Sequence, residues 1–220
     1  FLDMVILAGL GASLAIDMRS LSDRSERAAS TVPKWFSSHL SSRNSKFTLD
    51  LPLLVVALDT VGYTRKLVLL DEKGKEDLHR EMRDQIRVLL GAFGAQKISE
   101  RGDGGIFAWD YPTEPSGRLE ALENLRNSIR VLMARGREAG IEYRFGVAAG
   151  YVRAEMHGRD FSFLGEALKQ ASRLEGIAEP GMVLVEERLT ADLPNGSLSE
   201  VWAEAQVKGV PYRAKAMKVA

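Results

Sequence analysis

Two short segments limit what this chain can become. They are Leu54-Val55-Val56-Ala57-Leu58-Asp59-Thr60-Val61-Gly62-Tyr63-Thr64 and Glu100-Arg101-Gly102-Asp103-Gly104-Gly105-Ile106-Phe107. In each, an apolar strand pattern meets one aspartate at a glycine-rich turn. Asp59 follows the apolar run Leu53 to Leu58, which suits a strand buried in a sheet. Asp103 sits between glycines, where backbone can turn sharply and come close to a ligand. Two carboxylates at neighbouring strand ends can hold a divalent metal against a triphosphate. Mg²⁺ is usually bound this way, by one or two carboxylates plus substrate phosphates.

From residue 52 onward the pattern alternates between strand and helix periods. The Leu53–Leu58 strand is followed by a helix over 75–92, with Leu78, Met82, Ile86, Leu89 and Leu90 on one face. Strands are expected at 95–100 and 105–109, then a loop from Pro112 to Gly117. A second helix over 118–138 presents Leu119, Leu122, Leu125, Ile129 and Leu132, and Gly140 caps its end. Strands at 143–149 and 151–156, a turn, and a helix over 165–178 follow. Pro180-Gly181 turns into a strand at 182–186, and a hairpin covers 201–219. The expected architecture is α+β, with helices packed on a mixed, mainly antiparallel sheet. The alternation alone also fits other α/β domains.

Residues 1–50 read differently from the rest. Met4 to Ile16 is apolar and rich in alanine and glycine, and is too short to span a bilayer. The main expectation is an N-terminal helix packing on the domain or a partner. Membrane contact by residues 1–20 is the alternative, and Asp3 argues against a signal peptide. The chain begins at Phe1, not methionine, which raises the expectation of further sequence upstream. Residues 18–48 are polar and serine-rich around Pro33, Trp35 and Phe36, as in a connector with one apolar anchor.

Composition narrows the function further. The 220 residues suffice for one sizeable core and a short appendage. The 30 basic and 30 acidic residues cancel, so no broad nucleic-acid surface is expected. With no cysteine, disulfides and thiolate metal sites are excluded, which fits a cytoplasmic location. His39, His79 and His157 lack zinc-ligand spacing.

The motifs resemble the catalytic domain of class III nucleotidyl cyclases, the adenylyl and guanylyl cyclase family. That family's Asp-x-x-Gly-Phe-Thr/Ser is similar to Asp59-Thr60-Val61-Gly62-Tyr63-Thr64, and its Gly-Asp-Gly/Ala to Gly102-Asp103-Gly104. Phe145-Gly146-Val147-Ala148-Ala149-Gly150 looks like its Gly-Ile-x-x-Gly strand. Gly165 to Glu175 resembles Gly-x-x-Val-Asn-x-Ala-Ser/Ala-Arg-Leu-Glu. Glu179-Pro180-Gly181 and Val207-Lys208-Gly209 follow in the family's order. The resemblance spans residues 52–217 and implies a cyclase domain over 51–220 with a ferredoxin-like core.

The resemblance implies that two Mg²⁺ or Mn²⁺ ions are held by Asp59, Asp103 and the backbone carbonyl of Thr60. It implies phosphate contacts from the amides around Val61–Thr64 and a transition-state arginine at Arg173. It also implies a head-to-tail homodimer with composite sites and a nucleoside triphosphate substrate.

Departures from the pattern carry equal weight. The family asparagine is Lys169, a flexible cation suited to phosphate. The two positions that read a purine base are Ser99 and Ser162. Lys208 retains the Lys-Gly pair, but the next family lysine is Val210. Three readings stay open: a purine cyclase with altered recognition, a silent regulatory domain, and a pyrimidine cyclase. The third resembles the bacterial pyrimidine cyclases of anti-phage defence, with UTP slightly ahead of CTP. Tyr63 fits it if its hydroxyl reaches the base or sugar. A diguanylate cyclase reading is weak, because Asp103 is followed by Gly104-Gly105 and lacks that family's acidic pair.

Overall fold

A computed structural model describes residues 4–7, 14–17, 47–101, 103–157, 160–207 and 210–219. Near the N-terminus, β1 (Met4–Leu7) and β2 (Leu14–Asp17) pair antiparallel, with Met4 opposite Asp17. This replaces the helix expected over Met4 to Ile16. Gly9 and Gly11 interrupt that run, and Val5 and Ile6 are β-branched, so its local preference is for strand. Of the polar connector expected over 18–48, residues 18–46 lie outside the described residues and the last two belong to the strand that starts at Phe47.

The main body is an eight-stranded sheet with the path β4-β5-β3-β6-β8-β10-β9, and β7 pairs with β6 beside it. Its strands are β3 (Phe47–Val61), β4 (Gln96–Arg101), β5 (Gly104–Asp110), β6 (Glu142–His157) and β7 (Asp160–Leu164). β8 (Val183–Glu186), β9 (Leu198–Val207) and β10 (Val210–Met217) complete it. Every pairing is antiparallel except β6 with β8. The helices are α1 (Tyr63–Val68), α2 (Glu72–Ala92), α3 (Pro115–Glu138) and α4 (Glu166–Ile177). The α+β expectation is met.

Strand alternation sorts the apolar residues onto two faces. Leu54, Val56 and Leu58 of β3 meet Met82, Ile86 and Leu90 of α2 and Leu125, Ile129 and Leu132 of α3. Leu53, Val55 and Ala57 face the other way, onto Ala167, Leu168 and Ala171 of α4. Small residues let α4 lie very close to the sheet. A Cβ on Gly146 would stand 2.0 Å from the Ala171 carbonyl oxygen. Leu119 falls outside the α3 stripe, 39% exposed in the first turns of the helix.

Local chemistry explains the helix starts. The Asp71 carboxylate accepts from the Gly74 amide at 2.8 Å, so α2 begins earlier than its apolar stripe. Pro115 opens α3, where its missing N–H is no loss.

Four further features differ from the sequence expectation. β3 runs through Pro52, whose carbonyl accepts from the Tyr111 amide at 2.9 Å. Proline cannot return that bond, so the ladder with β5 ends at Leu53–Asp110. The strands expected at 143–149 and 151–156 are one strand, β6. Gly150 lies opposite Leu53 without breaking the ladder. β7 occupies the stretch expected to be a turn. The short helix α1 was not visible, because six residues hold less than two turns of apolar period.

Candidate active site

The turn that carries Asp103 comes close to the end of β3, where Asp59 lies, because Gly104 has no side chain. A Cβ there would stand 2.3 Å from the Leu58 carbonyl oxygen and 3.0 Å from the Asp59 Cα. This contact draws the start of β5 against the end of β3. The Thr60 hydroxyl, buried at 5% exposure, donates to Asp103 Oδ2 at 2.6 Å and lies 3.0 Å from the Asp103 carbonyl oxygen.

Asp59 is engaged from the opposite strand. Arg144 stands across from it in the β3–β6 register and donates to Asp59 Oδ2 from Nη2 at 2.7 Å and from Nε at 3.2 Å. Its Nε also lies 2.8 Å from Glu175 Oε1 on α4. Burial pulls the Arg144 guanidinium pKa down. The hydrogen bond to Asp59 and the charges of Glu175, Asp59 and Asp103 outweigh burial and raise it. One permanent cation thus sits among three carboxylates. Sequence reasoning missed Arg144. Its pairing with Asp59 follows from strand register alone.

The donor set suits a hard divalent ion. Asp59 and Asp103 supply carboxylate oxygens beside the backbone of Thr60. No group of three His, Asp or Glu able to hold a metal occurs among the described residues. The remaining coordination would fall to water and triphosphate oxygens, which is how Mg²⁺ is usually held.

After Asp59 the chain turns at Gly62, whose φ of 80° is a left-handed conformation that glycine adopts without strain. Thr64 is exposed on the first turn of α1. Tyr63 turns inward, 6% exposed, with its hydroxyl 2.7 Å from His79 Nδ1 on α2. Burial raises the Tyr63 phenol pKa, the Asp103 charge adds to the rise, and Arg83 opposes it. The hydroxyl is tied to α2 through His79. Replacing Tyr63 with phenylalanine is expected to cost about 1 kcal/mol. KM should not change. Urea denaturation and substrate titration of Y63F check both halves.

A second group of residues gathers elsewhere. Ser99, Lys169 and Arg173 line a cavity of about 510 Å³ together with Ile98, Ile106, Phe161, Phe163, Leu168 and Ser172. The Ser99 hydroxyl oxygen is buried there without a hydrogen-bond partner. Lys169 is exposed and 3.5 Å from Glu166, a surface pair of small energetic weight. Ser162 lies on β7 opposite Glu155 and alternates with Phe161 and Phe163. Those phenylalanines line the cavity and Ser162 does not. Lys208 and Gly102 lie outside the described residues. Asp59 and Asp103 bond to Arg144 and Thr60, whereas Arg173 bonds to Tyr212 and lies 3.5 Å from Glu166. Neither aspartate lines the cavity. The two groups of residues are thus separate in the chain described here.

No protein-family model and no curated protein matches the sequence. Solved structures do match in fold. The adenylyl cyclase CyaB from P. aeruginosa is similar at TM-score 0.63 and 20% identity, over 78% of this chain and 96% of that one. The guanylyl cyclase Cya2 is similar at TM-score 0.63 and 15% identity, over 77% and 92%. The catalytic core of a rhodopsin-guanylyl cyclase with converted specificity, in complex with ATPαS, is similar at TM-score 0.60 and 16% identity, over 78% and 98%. The fold is that of adenylyl and guanylyl cyclase catalytic domains, as the motifs imply. No helix among the described residues is long and apolar enough to cross a membrane.

Proposed function

We propose that this domain is a metal-dependent nucleotidyl cyclase that acts as a head-to-tail homodimer. The observation that carries the reading is the division just described. The Asp103 turn is drawn against the end of β3, where Asp59 lies, by the Gly104 contact, while Ser99, Lys169 and Arg173 line a cavity without either aspartate. Two chains arranged head to tail would complete each cavity with the other chain's aspartates.

In the reaction the ribose 3′-oxygen bonds to the α-phosphorus and its proton passes to solvent water. The bond from the α-phosphorus to the bridging oxygen breaks, and pyrophosphate leaves with the electron pair. Mg²⁺ or Mn²⁺ ions at Asp59, Asp103 and the Thr60 carbonyl would activate the attacking oxygen and neutralise the leaving group. Arg173 directs a guanidinium at charge developing on the α-phosphate. Lys169 and Lys208 are suited to phosphate oxygens, as are the amides of Val61–Thr64. Arg144 holds Asp59 in place before substrate arrives.

The base reading favours a pyrimidine, UTP slightly before CTP. Ser99 is small and neutral, its hydroxyl has no partner, and the cavity around it is mainly apolar. The product would be a cyclic pyrimidine nucleotide made in the cytoplasm as a defence signal. An adenylate cyclase with non-standard base recognition is the second reading, supported by the similarity to CyaB.

The test is turnover of ATP, GTP, CTP and UTP separately by purified protein with Mn²⁺, with products read by mass. Cyclic UMP or cyclic CMP is the expected product. Cyclic AMP or cyclic GMP would overturn the pyrimidine assignment. A folded dimer that turns over none of the four would mark a silent regulatory domain.

A further inference from the structure

Arg173 does not stand alone at the wall of its cavity. Its guanidinium carbon lies 5.2 Å from the centre of the Tyr212 ring, and its Nη1 donates to the Tyr212 hydroxyl. Tyr212 comes from β10, a distant part of the chain, and is buried at 9% exposure. Alternation puts it on the same face of β10 as Ala214, which packs with Leu174, Ala178 and Leu184 under α4. The packing of α4 on β10 therefore sets Tyr212 against Arg173. Arg173 lines the cavity and Tyr212 does not, so the tyrosine supports the guanidinium from behind.

The two partners of Arg173 differ in charge. Glu166 is a carboxylate, more than half exposed, with its Oε1 3.5 Å from Nη1. Such a contact is weak, and it opposes the use of the guanidinium on phosphate. Tyr212 is neutral. Its ring face and hydroxyl oxygen fix the orientation of a long side chain and leave the full positive charge for an incoming anion. Holding the guanidinium in advance also removes part of the entropy otherwise lost when substrate binds.

We propose that Tyr212 is the positioning residue for Arg173: it aims the guanidinium into the cavity lined by Ser99, Phe163 and Lys169 without neutralising it. This rests on the cyclase reading above.

The test is steady-state kinetics of wild type, Y212F, Y212L, R173A and the double variant Y212F/R173A, with the triphosphate the wild type prefers. Y212F keeps the ring and loses the oxygen. Its kcat should fall about tenfold with KM within about twofold, the pattern of an interaction that matters in the transition state. Y212L loses ring and oxygen and should approach R173A. In the R173A background, Y212F should cause no further loss, because the two residues act as one unit. A second readout is independent of turnover. Ring-current shifts of the Arg173 side-chain NMR signals should be present in wild type, persist in Y212F and vanish in Y212L. Wild-type kinetics in Y212F, or an equal loss with and without Arg173, would overturn the Tyr212 assignment alone. A wild-type protein that turns over no triphosphate would overturn the cyclase reading and, with it, this role. The NMR shift would then report only whether the contact forms.

Discussion

Replacing Asp103 with alanine is expected to abolish cyclic nucleotide formation, with a loss on the order of 10³-fold. Asp103 is one of the two carboxylates suited to metal. Its Oδ2 is also the acceptor of the buried Thr60 hydroxyl, at 2.6 Å. D103A removes both functions, so a folding effect must be separated from a chemical one. The lost hydrogen bond costs about 1 kcal/mol. That is a shift of a few degrees in melting temperature for a domain of this size. Asparagine supplies the control. D103N keeps an oxygen for Thr60 but loses the charge, so it should melt like wild type and still be inactive. Activity is read as product mass with Mn²⁺ across a metal titration. Wild-type-like turnover by D103A would sink the mechanism. A variant that is inactive only because it is unfolded would show a collapsed melt, and D103N would then be active.

Gly146→Ala should have the largest effect on stability. The added Cβ would lie 2.0 Å from the Ala171 carbonyl oxygen, 2.3 Å from the Glu175 amide and 2.9 Å from the Leu174 carbonyl carbon. These are backbone atoms of α4 and cannot rotate aside as a side chain can. The helix must lift from the sheet, which opens the layer of Ala167, Leu168 and Ala171 over Val55 and Ala148. The expected cost is about 3 kcal/mol or more. Lifting α4 also moves Lys169 and Arg173, so activity should fall with stability. Gly176 lies on the same helix, and a Cβ there would meet nothing within 4 Å. G176A should be neutral, or stabilising by up to about 1 kcal/mol. Urea midpoints of the two variants check the contrast. Equal midpoints would mean that α4 does not rest on Gly146.

Much of the scaffold was legible because its periodicities are local. The stripes of α2 and α3, the buried run of β3, Pro180-Gly181 and the closing hairpin each need only nearby residues to be recognised. The features that escaped have weak local signals. α1 is short, Gly150 suggested a break that the ladder passes through, and β7 is only five residues long, just after Gly158-Arg159. The N-terminal run was apolar enough to read as a helix, although its glycines and β-branched residues favour strands.

The candidate site divides in the same way. Asp59, Thr60, Asp103, Lys169 and Arg173 were legible from short motifs in a fixed order. The base-reading positions were also legible as positions, yet the fold brings Ser99 to the cavity while strand alternation withholds Ser162. Tyr63 carries a hydroxyl that the sequence leaves free, and α2 claims it through His79.

By itself the sequence determined the order of elements, the two aspartate turns and the absence of the usual purine code, because these depend on residue type and short spacing. Tertiary structure alone decided which charges meet. Asp59 finds Arg144 across 85 residues through strand register, and Arg173 finds Tyr212 across 39 through the packing of a helix on a sheet. No local pattern encodes such contacts, since each depends on how two distant elements pack together.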